Sequence, residues 1–359
     1  MNGLDDVIAA ETVLSDVDGR AGRLVIRGHA VEELSRQASF EDVAILLLGG
    51  FVEPLPRGEA LRAAIGESRA AVFARLAPRL ALLDDLSPVE ALRAGLSLLP
   101  DGDDAATALA LLAAPAVVTA AALRRAAGEA PLPPDPALGH APDFLRMLHG
   151  RMPTAAQVDA LNAYLVTVSD HGMNASTFAA RTVASTQAGL VSAAIAGLCA
   201  LKGPLHGGAP GPVLDMLDAI GEPAEARRWL AEALARGDRL MGFGHRIYRV
   251  RDPRADALKA AIARLGSTGR PGRLALAEAV EAAALDLLRE ARPGRALDTN
   301  VEFYTAVLLE ALGFPVDAFT CVFAAGRMTG WIAHAREQLL TGRLIRPQSR
   351  YVGEVPRAA

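Results

Sequence analysis

The feature of this chain that most restricts its fold is a long apolar run, from Ala105 to Leu123, that contains no charged side chain. By length alone such a run could cross a bilayer. Alanine supplies most of its apolar residues, however, and Pro115 lies within it, so the run is weakly hydrophobic for a membrane span. A second uncharged run, from Thr182 to Leu201, contains serine, threonine and glutamine. Both runs therefore predict buried core helices, the first of them broken near Pro115.

The composition predicts an all-α fold. Hydrophobic residues make up 51% of the chain, but aromatic residues only 4%. Alanine and leucine, which favour helices, dominate, and runs of β-branched residues are scarce. The exception is residues 24–26 (LVI), which predict a short strand or extended arm among glycine-containing turns. A chain of 359 residues is longer than one ordinary domain and suggests two.

Charge and cysteine content narrow the class of function. The formal net charge is −4, so the chain lacks the excess of positive charge that is typical of proteins that bind nucleic acid or an anionic membrane. Cys199 and Cys321 lie in apolar helical contexts, and we expect both to be buried thiols in a reducing compartment. The acidic N-terminal residues lack the basic and then apolar order of a signal peptide. These features predict a cytoplasmic protein with no nucleic-acid or membrane partner.

Residues 241–254 (MGFGHRIYRVRDPR) predict a site for an anionic ligand. Gly242 and Gly244 allow a backbone to approach a ligand closely, because glycine has no Cβ. His245 can change its charge near neutral pH. The arginines that follow offer planar groups suited to carboxylates and phosphates. The alternative is a surface loop that leads into a solvated basic helix.

Three further segments contain residues suited to catalysis. His171 and Asn174 lie in a polar segment between two predicted helices, where Asn174 could equally cap the second helix. His206 lies among glycines, where it could donate a hydrogen bond to an oxyanion or simply be exposed at a helix end. Glu302 is a lone carboxylate in an apolar neighbourhood, which would raise its pKa and suit it to general base catalysis. The alternative for Glu302 is a first-turn glutamate favoured by the helix dipole.

The remaining motifs narrow the classes of reaction that the chain could catalyse. Phe323 and Arg327 lie four residues apart on one face of a later helix, and residues 343–349 form another arginine-bearing turn. The phosphate-binding loop, the dinucleotide-binding glycine pattern and the nucleophile elbow do not occur in the sequence. Neither closely spaced histidines nor paired cysteines indicate a metal site. Histidines, one carboxylate and several arginines favour carbon-acid chemistry on a dicarboxylate.

Five motifs together resemble those of the citrate synthase family. They are residues 170–178 (DHGMNASTF), 203–208 (GPLHGG), 241–248 (MGFGHRIY) with 252–254 (DPR), 300–304 (NVEFY) and 346–347 (RP). Residues 18–28 (DGRAGRLVIRG) also resemble the family's N-terminal segment. The resemblance covers essentially the whole chain, in the family's order and spacing.

The resemblance implies an all-helical homodimer with two domains. Residues 208–305 would form a small domain that closes over substrate, and residues 1–207 and 306–359 would form the large domain and the dimer interface. The family condenses acetyl-CoA with oxaloacetate in a Claisen-type reaction and hydrolyses the citryl thioester to citrate and CoA. No permanently bound cofactor is implied, because the acyl-CoA is a co-substrate.

The resemblance also implies roles for individual residues. Glu302 would remove the methyl proton, His206 would hydrogen-bond the thioester oxygen, and His245 would polarise the oxaloacetate carbonyl and supply its proton. The residues implied to bind oxaloacetate are His171, Asn174, Arg254, Phe323, Arg327 and Arg346, of which the last would reach the neighbouring subunit's site. Those implied to contact CoA are Met241, Gly242, Phe243, Gly244 and Arg249.

The departure from the family pattern is Glu302, because the family's usual base is an aspartate. The added methylene moves the carboxylate by about 1 Å, and such a displacement can cost about a hundredfold in rate unless the backbone compensates. We expect an active citrate synthase. A 2-methylcitrate synthase that uses propionyl-CoA is the nearest alternative, since one methylene in an acyl pocket is worth only about 1–3 kcal/mol. A catalytically weak paralogue that binds CoA or a dicarboxylate, and a metal-dependent hydrolase, are further alternatives.

Overall fold

The computed structural model describes residues 7–207, 211–245, 247–266, 270–294 and 297–354. Within these ranges a small antiparallel sheet precedes a large helical body. The sheet consists of β1 (Ser15–Asp18), β2 (Arg23–Ile26) and β3 (His29–Ala30), in the order β1-β2-β3. The strand predicted at residues 24–26 is confirmed, and so is the all-α class, since the three strands together are short.

The α-helices follow the sheet in chain order. They are α1 (Val31–Gln37), α2 (Phe40–Leu48), α3 (Glu59–Leu76), α4 (Pro88–Ser97), α5 (Ala105–Ala126), α6 (His140–His149), α7 (Ala155–Thr167), α8 (Ala175–Ala184), α9 (Leu190–Leu201), α10 (Gly211–Ile220), α11 (Ala226–Ala235), α12 (Pro253–Leu265), α13 (Arg273–Ala291), α14 (Val301–Ala311) and α15 (Phe319–Thr341). Short 3-10 helices occupy Ala77–Leu83, Pro223–Glu225 and Val316–Ala318.

The first uncharged run forms α5, a core helix. By length and composition α5 could cross a membrane, but most of it is buried against α3, α4, α6 and α15. The predicted break near Pro115 is wrong, because α5 continues through this residue. A proline inside a helix removes one backbone hydrogen bond, and here the packing on all sides outweighs that loss.

The second uncharged run is split between α8 and α9. Helix α8 ends at Ala184, and α9 does not begin until Leu190. Gln187 and Gly189 lie between them with φ values of 63° and 94°, which a helix cannot contain. The prediction of one continuous helix over this run is therefore wrong, although both parts are largely buried.

The core is centred on α15, which packs against α2, α5, α7, α8 and α9 and is buried along most of its length. In the segment 208–305, α11 packs against α13 and α10 against α14, whereas α12 also contacts α1 and α7. The division into a small domain at 208–305 and a large domain at 1–207 and 306–359 stays a prediction.

One of the two cysteine predictions is wrong. Cys321 is buried in α15, but Cys199 is exposed on α9. Helix α9 is apolar on nearly every face, so its sequence does not indicate which face turns to the surface.

Candidate active site

The loop of residues 241–245, which carries His245, is held against the start of α14. The backbone N–H of Asn300 donates to the Gly242 carbonyl at 2.9 Å. The side-chain amide of Asn300 donates to the Gly244 carbonyl at 2.8 Å. Asn300 is also the N-cap of α14, so one residue orients the helix and secures the loop.

Glycine is required in this loop for two physical reasons. Gly242 and Gly244 have φ values of 84° and 79°, which residues other than glycine rarely adopt. A Cβ on Gly242 would in addition lie 2.8 Å from the Cβ of Phe303. Phe243 packs inward on the Phe303 ring, with the centroids 5.2 Å apart.

His245 has a defined tautomer. Its Nδ1 accepts hydrogen bonds from the backbone N–H groups of Ile247 at 3.0 Å and Tyr248 at 3.1 Å. An amide can only donate, so the proton of the neutral ring lies on Nε2. Burial and the nearby Arg254 guanidinium lower the pKa of His245 to about 4. At neutral pH His245 is therefore an uncharged donor.

A buried ion pair lies beside His245. Arg254 donates through Nε to Oδ1 of Asp252 at 3.0 Å and through Nη2 to Oδ2 at 2.8 Å. Burial opposes the charge of Arg254, but Asp252 outweighs it, so the pKa of Arg254 lies above its ordinary value. Nη2 of Arg254 is also 3.5 Å from Nε2 of His245. Because both of these atoms carry protons, they converge as two donors, which suits an anionic oxygen.

His171 completes this side of the site. It is buried, and its ring centroid lies 5.8 Å from that of His245. Its Nε2 lies 3.1 Å from the hydroxyl of Tyr248. Burial, with the charges of Arg254 and Arg327, holds the pKa of His171 well below its usual value. His171 is thus a second neutral imidazole.

Arg327 is a buried cation with an unused donor. Its Nε donates to the Val168 carbonyl at 2.6 Å, and its guanidinium lies 5.0 Å from the centroid of the Phe323 ring. Its Nη2 is buried and has no partner among the described residues. Burial lowers the pKa of Arg327 to about 10, which leaves it charged at neutral pH. A buried charge without a full set of partners indicates a place for an anion.

His206 is oriented by Ser176 at the start of α8. The Ser176 hydroxyl lies 2.9 Å from Nε2 of His206, and the Ser176 amide donates to the same atom at 3.4 Å. Nε2 therefore accepts, which leaves the proton of the neutral ring on Nδ1. The indole N–H of Trp331 donates to the Ser176 hydroxyl at 3.2 Å. Burial, with the charges of Arg327 and Arg254, lowers the pKa of His206 to about 4.

Glu302 lies in the first turn of α14. Its backbone N–H donates to the side chain of Asn300 at 3.0 Å. Burial raises the pKa of its carboxyl to about 7, against the opposing charges of Arg254 and Arg327. A carboxylate with this pKa is close to the ideal for proton transfer at neutral pH.

Other predicted residues lie at the edge of this cluster or apart from it. The side-chain oxygen of Asn174 is occupied in capping α8, where it accepts from the amides of Ser176 at 3.1 Å and Thr177 at 3.0 Å. Met241 is half-buried at the start of the histidine loop. Arg249 and Arg346 are exposed, the latter in the segment without regular secondary structure that follows α15. Within the described residues no group of three His, Cys, Asp or Glu side chains could hold a metal ion.

Several residues that support the site are not indicated by the sequence motifs. Tyr248 and Asp252 lie inside the motif at 241–254, but the motif assigns neither of them a role. The Asp-Pro pair at 252–253 is a typical start of a helix, with aspartate as N-cap and proline in the first turn, and could have indicated Asp252. Ser176 and Trp331 had no signal of this kind, because their contacts join distant parts of the chain.

Comparisons with known proteins agree with this arrangement. The family model described as citrate synthase, C-terminal domain, matches residues 3–348. The chain is 40% identical to putative citrate synthase 2 of Mycobacterium tuberculosis, over 99% of this chain and 94% of that protein. It is 38% identical to 2-methylcitrate synthase of the same organism, over 99% of this chain and 91% of that protein.

A solved structure is similar along its whole length. The ternary complex of citrate synthase from Thermoplasma acidophilum with carboxymethyl coenzyme A and oxaloacetate superimposes with a TM-score of 0.85 at 29% identity. The match covers 99% of this chain and 97% of that one. The chain belongs to the citrate synthase family and is a condensing acyltransferase.

Proposed function

We propose that this enzyme is a citrate synthase that joins the acetyl group of acetyl-CoA to oxaloacetate and releases citrate and CoA. The observation that carries the proposal is the combination of charges in one site. Two neutral histidines lie close to buried arginines, and the charges of Arg254 and Arg327 act on a carboxyl group whose pKa is about 7. This set suits a dicarboxylate substrate and a weakly acidic C–H bond.

Oxaloacetate would bind among the cationic and neutral donors. Arg254 and Arg327 would pair with its carboxylates, since each is buried and charged. Nε2–H of His245 would donate to its ketone oxygen, and His171 would hold a further oxygen. Phe323 would pack beside the substrate under the Arg327 guanidinium. Asn174 and, from the neighbouring subunit, Arg346 complete the proposed oxaloacetate site.

The acyl-CoA would meet Glu302 and His206. The ionised carboxylate of Glu302 would remove a proton from the acyl α-carbon, while Nδ1–H of His206 donates to the thioester oxygen and stabilises the enol that forms. A neutral histidine suits this role, because it donates a hydrogen bond without adding a charge. The CoA moiety would contact residues 241–244 and Arg249, which lies on the surface beside the loop.

Condensation and hydrolysis then complete the reaction. The enol carbon would attack the ketone carbon of oxaloacetate, and His245 would supply a proton to the oxygen that becomes a hydroxyl. Water would then cleave the citryl thioester, which breaks the carbon–sulfur bond and releases the CoA thiol.

The glutamate at position 302 is compatible with this mechanism. A glutamate carboxylate extends about 1 Å further than an aspartate carboxylate, so its backbone must lie further from the substrate to reach the same proton. The capped first turn of α14 fixes the backbone position of Glu302, and burial raises its pKa to about 7, where it can accept a proton at neutral pH.

The decisive experiment measures CoA thiol release with oxaloacetate and either acetyl-CoA or propionyl-CoA. We expect release by the wild-type enzyme, with the higher kcat/KM for acetyl-CoA. Glu302→Gln should lose at least a hundredfold in kcat while it still binds oxaloacetate, and Glu302→Asp should retain part of the activity. Binding of oxaloacetate without thiol release from either acyl-CoA would contradict the proposal and favour a ligand-binding paralogue.

The second candidate is a 2-methylcitrate synthase. A relative that carries this name is 38% identical to the chain over nearly its whole length, which is close to the identity with the putative citrate synthase. The extra methylene of propionyl-CoA changes affinity by only about 1–3 kcal/mol. A kcat/KM that is higher for propionyl-CoA would establish this activity instead.

We also propose that the enzyme is a cytoplasmic homodimer. Support for the dimer comes from exposed apolar residues that flank the exposed Arg346 in the sequence, namely Leu340, Leu344, Tyr351 and Val352. A partner subunit would bury these side chains and bring Arg346 to its proposed site. Sedimentation of the purified protein as a monomer at micromolar concentration would contradict the dimer.

A further inference from the structure

We propose that strand β1 and the turn that follows it position the two histidine loops of the active site, one at each end of the strand. The inference rests on the proposed roles of His171 and His245 in binding oxaloacetate. It assigns a function to N-terminal residues that take no part in the chemistry themselves.

The first end of β1 holds the loop that carries His171. The hydroxyl of Ser15 donates to Oδ2 of Asp170, and it accepts a hydrogen bond from the backbone N–H of Gly172 at 3.0 Å. Asp170 and Gly172 are the neighbours of His171 on either side. Val17 reaches the same loop, because a Cβ added to Gly172 would lie 3.2 Å from its Cγ2.

Asp170 is a fixed acceptor for Ser15. It is fully buried, and Nε2 of His334 donates to its Oδ2 at 3.2 Å. Nδ1 of His334 accepts in turn from Arg181 at 3.0 Å, which fixes the histidine tautomer. Burial opposes ionisation of Asp170, but the interaction with His334 and the charge of Arg327 outweigh it, so the pKa of Asp170 lies below its usual value.

The residues just before β1 bind to the same buried network. The hydroxyl of Thr12 and the backbone N–H of Val13 donate to Oε1 of Glu337, at 3.1 Å and 3.0 Å. Glu337 also pairs with Arg181, the residue that orients His334. The start of β1 is therefore attached to α15 and to the His171 loop at once.

The other end of β1 holds residues 247–249, which lie shortly after His245 in the chain. The Gly19 carbonyl accepts a hydrogen bond from the backbone N–H of Arg249 at 2.7 Å. A Cβ on Gly19 would lie only 2.3 Å from the Ile247 carbonyl oxygen. The amides of Ile247 and Tyr248 are the donors that orient His245. Gly19 thus contacts the segment that fixes the His245 ring.

The turn has the shape that this contact requires. Oδ1 of Asp18 accepts from the backbone N–H groups of Arg20 at 3.0 Å and Ala21 at 2.9 Å. Gly22, with a φ of 65°, completes the turn, and a Cβ there would lie 2.7 Å from Cγ2 of Val250. Two glycines of one turn therefore pack directly on the segment that follows His245.

A paired strand can transmit this geometry. Four residues of extended chain span about 13 Å, and pairing with β2 prevents β1 from bending freely. The spacing of the two attached loops, and with it the 5.8 Å between the His171 and His245 rings, is then set by β1. These are positioning residues, since none of them needs to touch substrate.

The test compares Gly19→Ala with Ala21→Ser, an exposed change in the same turn. The Cβ of Gly19→Ala must push the Ile247 segment away, and a displacement of about 1 Å can cost about a hundredfold in rate. We expect a fall of that size in kcat/KM, a rise in the oxaloacetate KM and a nearly unchanged Tm, whereas Ala21→Ser should match the wild type. A kcat/KM within twofold of the wild type for Gly19→Ala would overturn the proposal.

A second pair of variants tests the other end of the strand. Ser15→Ala removes both hydrogen bonds to the His171 loop, and Ser15→Thr keeps the hydroxyl. We expect the oxaloacetate KM to rise at least tenfold in Ser15→Ala and to recover in Ser15→Thr. If Ser15→Ala lowers Tm but leaves the KM of the folded enzyme unchanged, the strand only stabilises the fold and the proposal is wrong.

Direct binding separates this proposal from the proposed function. Oxaloacetate affinity can be measured by calorimetry on every variant without turnover. Should the wild type bind oxaloacetate but release no CoA, the proposed reaction fails, yet a tenfold loss of affinity in Gly19→Ala would still support positioning by β1. An unchanged affinity would overturn the positioning in either case.

Discussion

Asp252 binds Arg254 through both of its carboxylate oxygens, and the pair is almost completely buried. The same carboxylate accepts the backbone N–H groups of Arg254 at 3.0 Å and of Val301 at 3.2 Å. One side chain therefore caps α12, neutralises the arginine beside His245 and connects α12 to the start of α14. This explains how a guanidinium can remain charged and correctly oriented in the interior.

Removal of this charge should destabilise the protein strongly. Asp252→Asn leaves the buried Arg254 without its counter-ion, which costs about 3–5 kcal/mol. We expect a large fall in Tm and a weaker stabilisation by oxaloacetate in thermal unfolding. Asp256→Asn is the matched control, because Asp256 is exposed and its ion pair with the partly exposed Arg251 is worth about 0–1 kcal/mol. Equal stability of the two variants would contradict the prediction.

The rate should depend on pH through Glu302. Only the ionised carboxylate can accept a proton, and its pKa is about 7. We expect kcat/KM for the acyl-CoA to rise with pH up to about 7 and then to level off. His206 and His245, with pKa values of about 4, should impose no limit between pH 5 and 8. A midpoint near the ordinary glutamate value, or no acid limb, would show that Glu302 is not the base.

The raised pKa of Glu302 means that ionisation of its buried carboxyl destabilises the folded protein. The pKa of Glu302 in the folded protein lies above the ordinary glutamate value of 4.5, so the native state holds the proton more tightly than the unfolded chain does. The stabilisation associated with the protonated group is present below about pH 4.5 and is lost as the pH rises through about 7. We expect Glu302→Gln to have a higher Tm than the wild type at pH 8 and a similar Tm at pH 4.5. A lower Tm at pH 8 would refute this.

Gly242 should tolerate no side chain. Gly242→Ala combines a φ of 84° with a Cβ only 2.8 Å from the Cβ of Phe303, so the histidine loop must move. We expect a loss of at least a hundredfold in kcat/KM. Gly237→Ala is the control, because its φ of 85° imposes a similar backbone cost, while open space surrounds its Cβ. That variant should lose some stability but keep its activity, and comparable kinetics in both variants would contradict the argument.

Ser176 should act on the rate of chemistry more than on oxaloacetate binding. Ser176→Ala removes the hydroxyl 2.9 Å from Nε2 of His206 and leaves the Trp331 indole N–H without its acceptor. We expect kcat to fall by about tenfold to a hundredfold, with little change in the KM for oxaloacetate. Thr186→Ala, an exposed hydroxyl beyond the end of α8, should have no effect. An unchanged kcat in Ser176→Ala would remove Ser176 from the site.

The sequence by itself determined the family and the all-α class, and it predicted the principal residues of the candidate site. These features rest on signals that are local in the chain: the helix-favouring composition, and short motifs such as the two glycines that precede His245. His171, His245, Arg254 and Arg327 could be named because short motifs contain them, and the structure brings their side chains together. Short-range signals also predicted the strand at 24–26.

Only the tertiary structure decided how these residues behave. Burial by distant elements sets the pKa of Glu302 and of the histidines, and no local sequence pattern predicts the extent of this burial. The attachment of β1 to the loops of His171 and His245 joins residues more than 150 positions apart, so the motifs that carry those residues do not reveal it. The exposure of Cys199 and the break between α8 and α9 are of the same kind. An apolar segment predicts a buried helix. The neighbours that the helix packs against decide which of its faces is covered and where it ends.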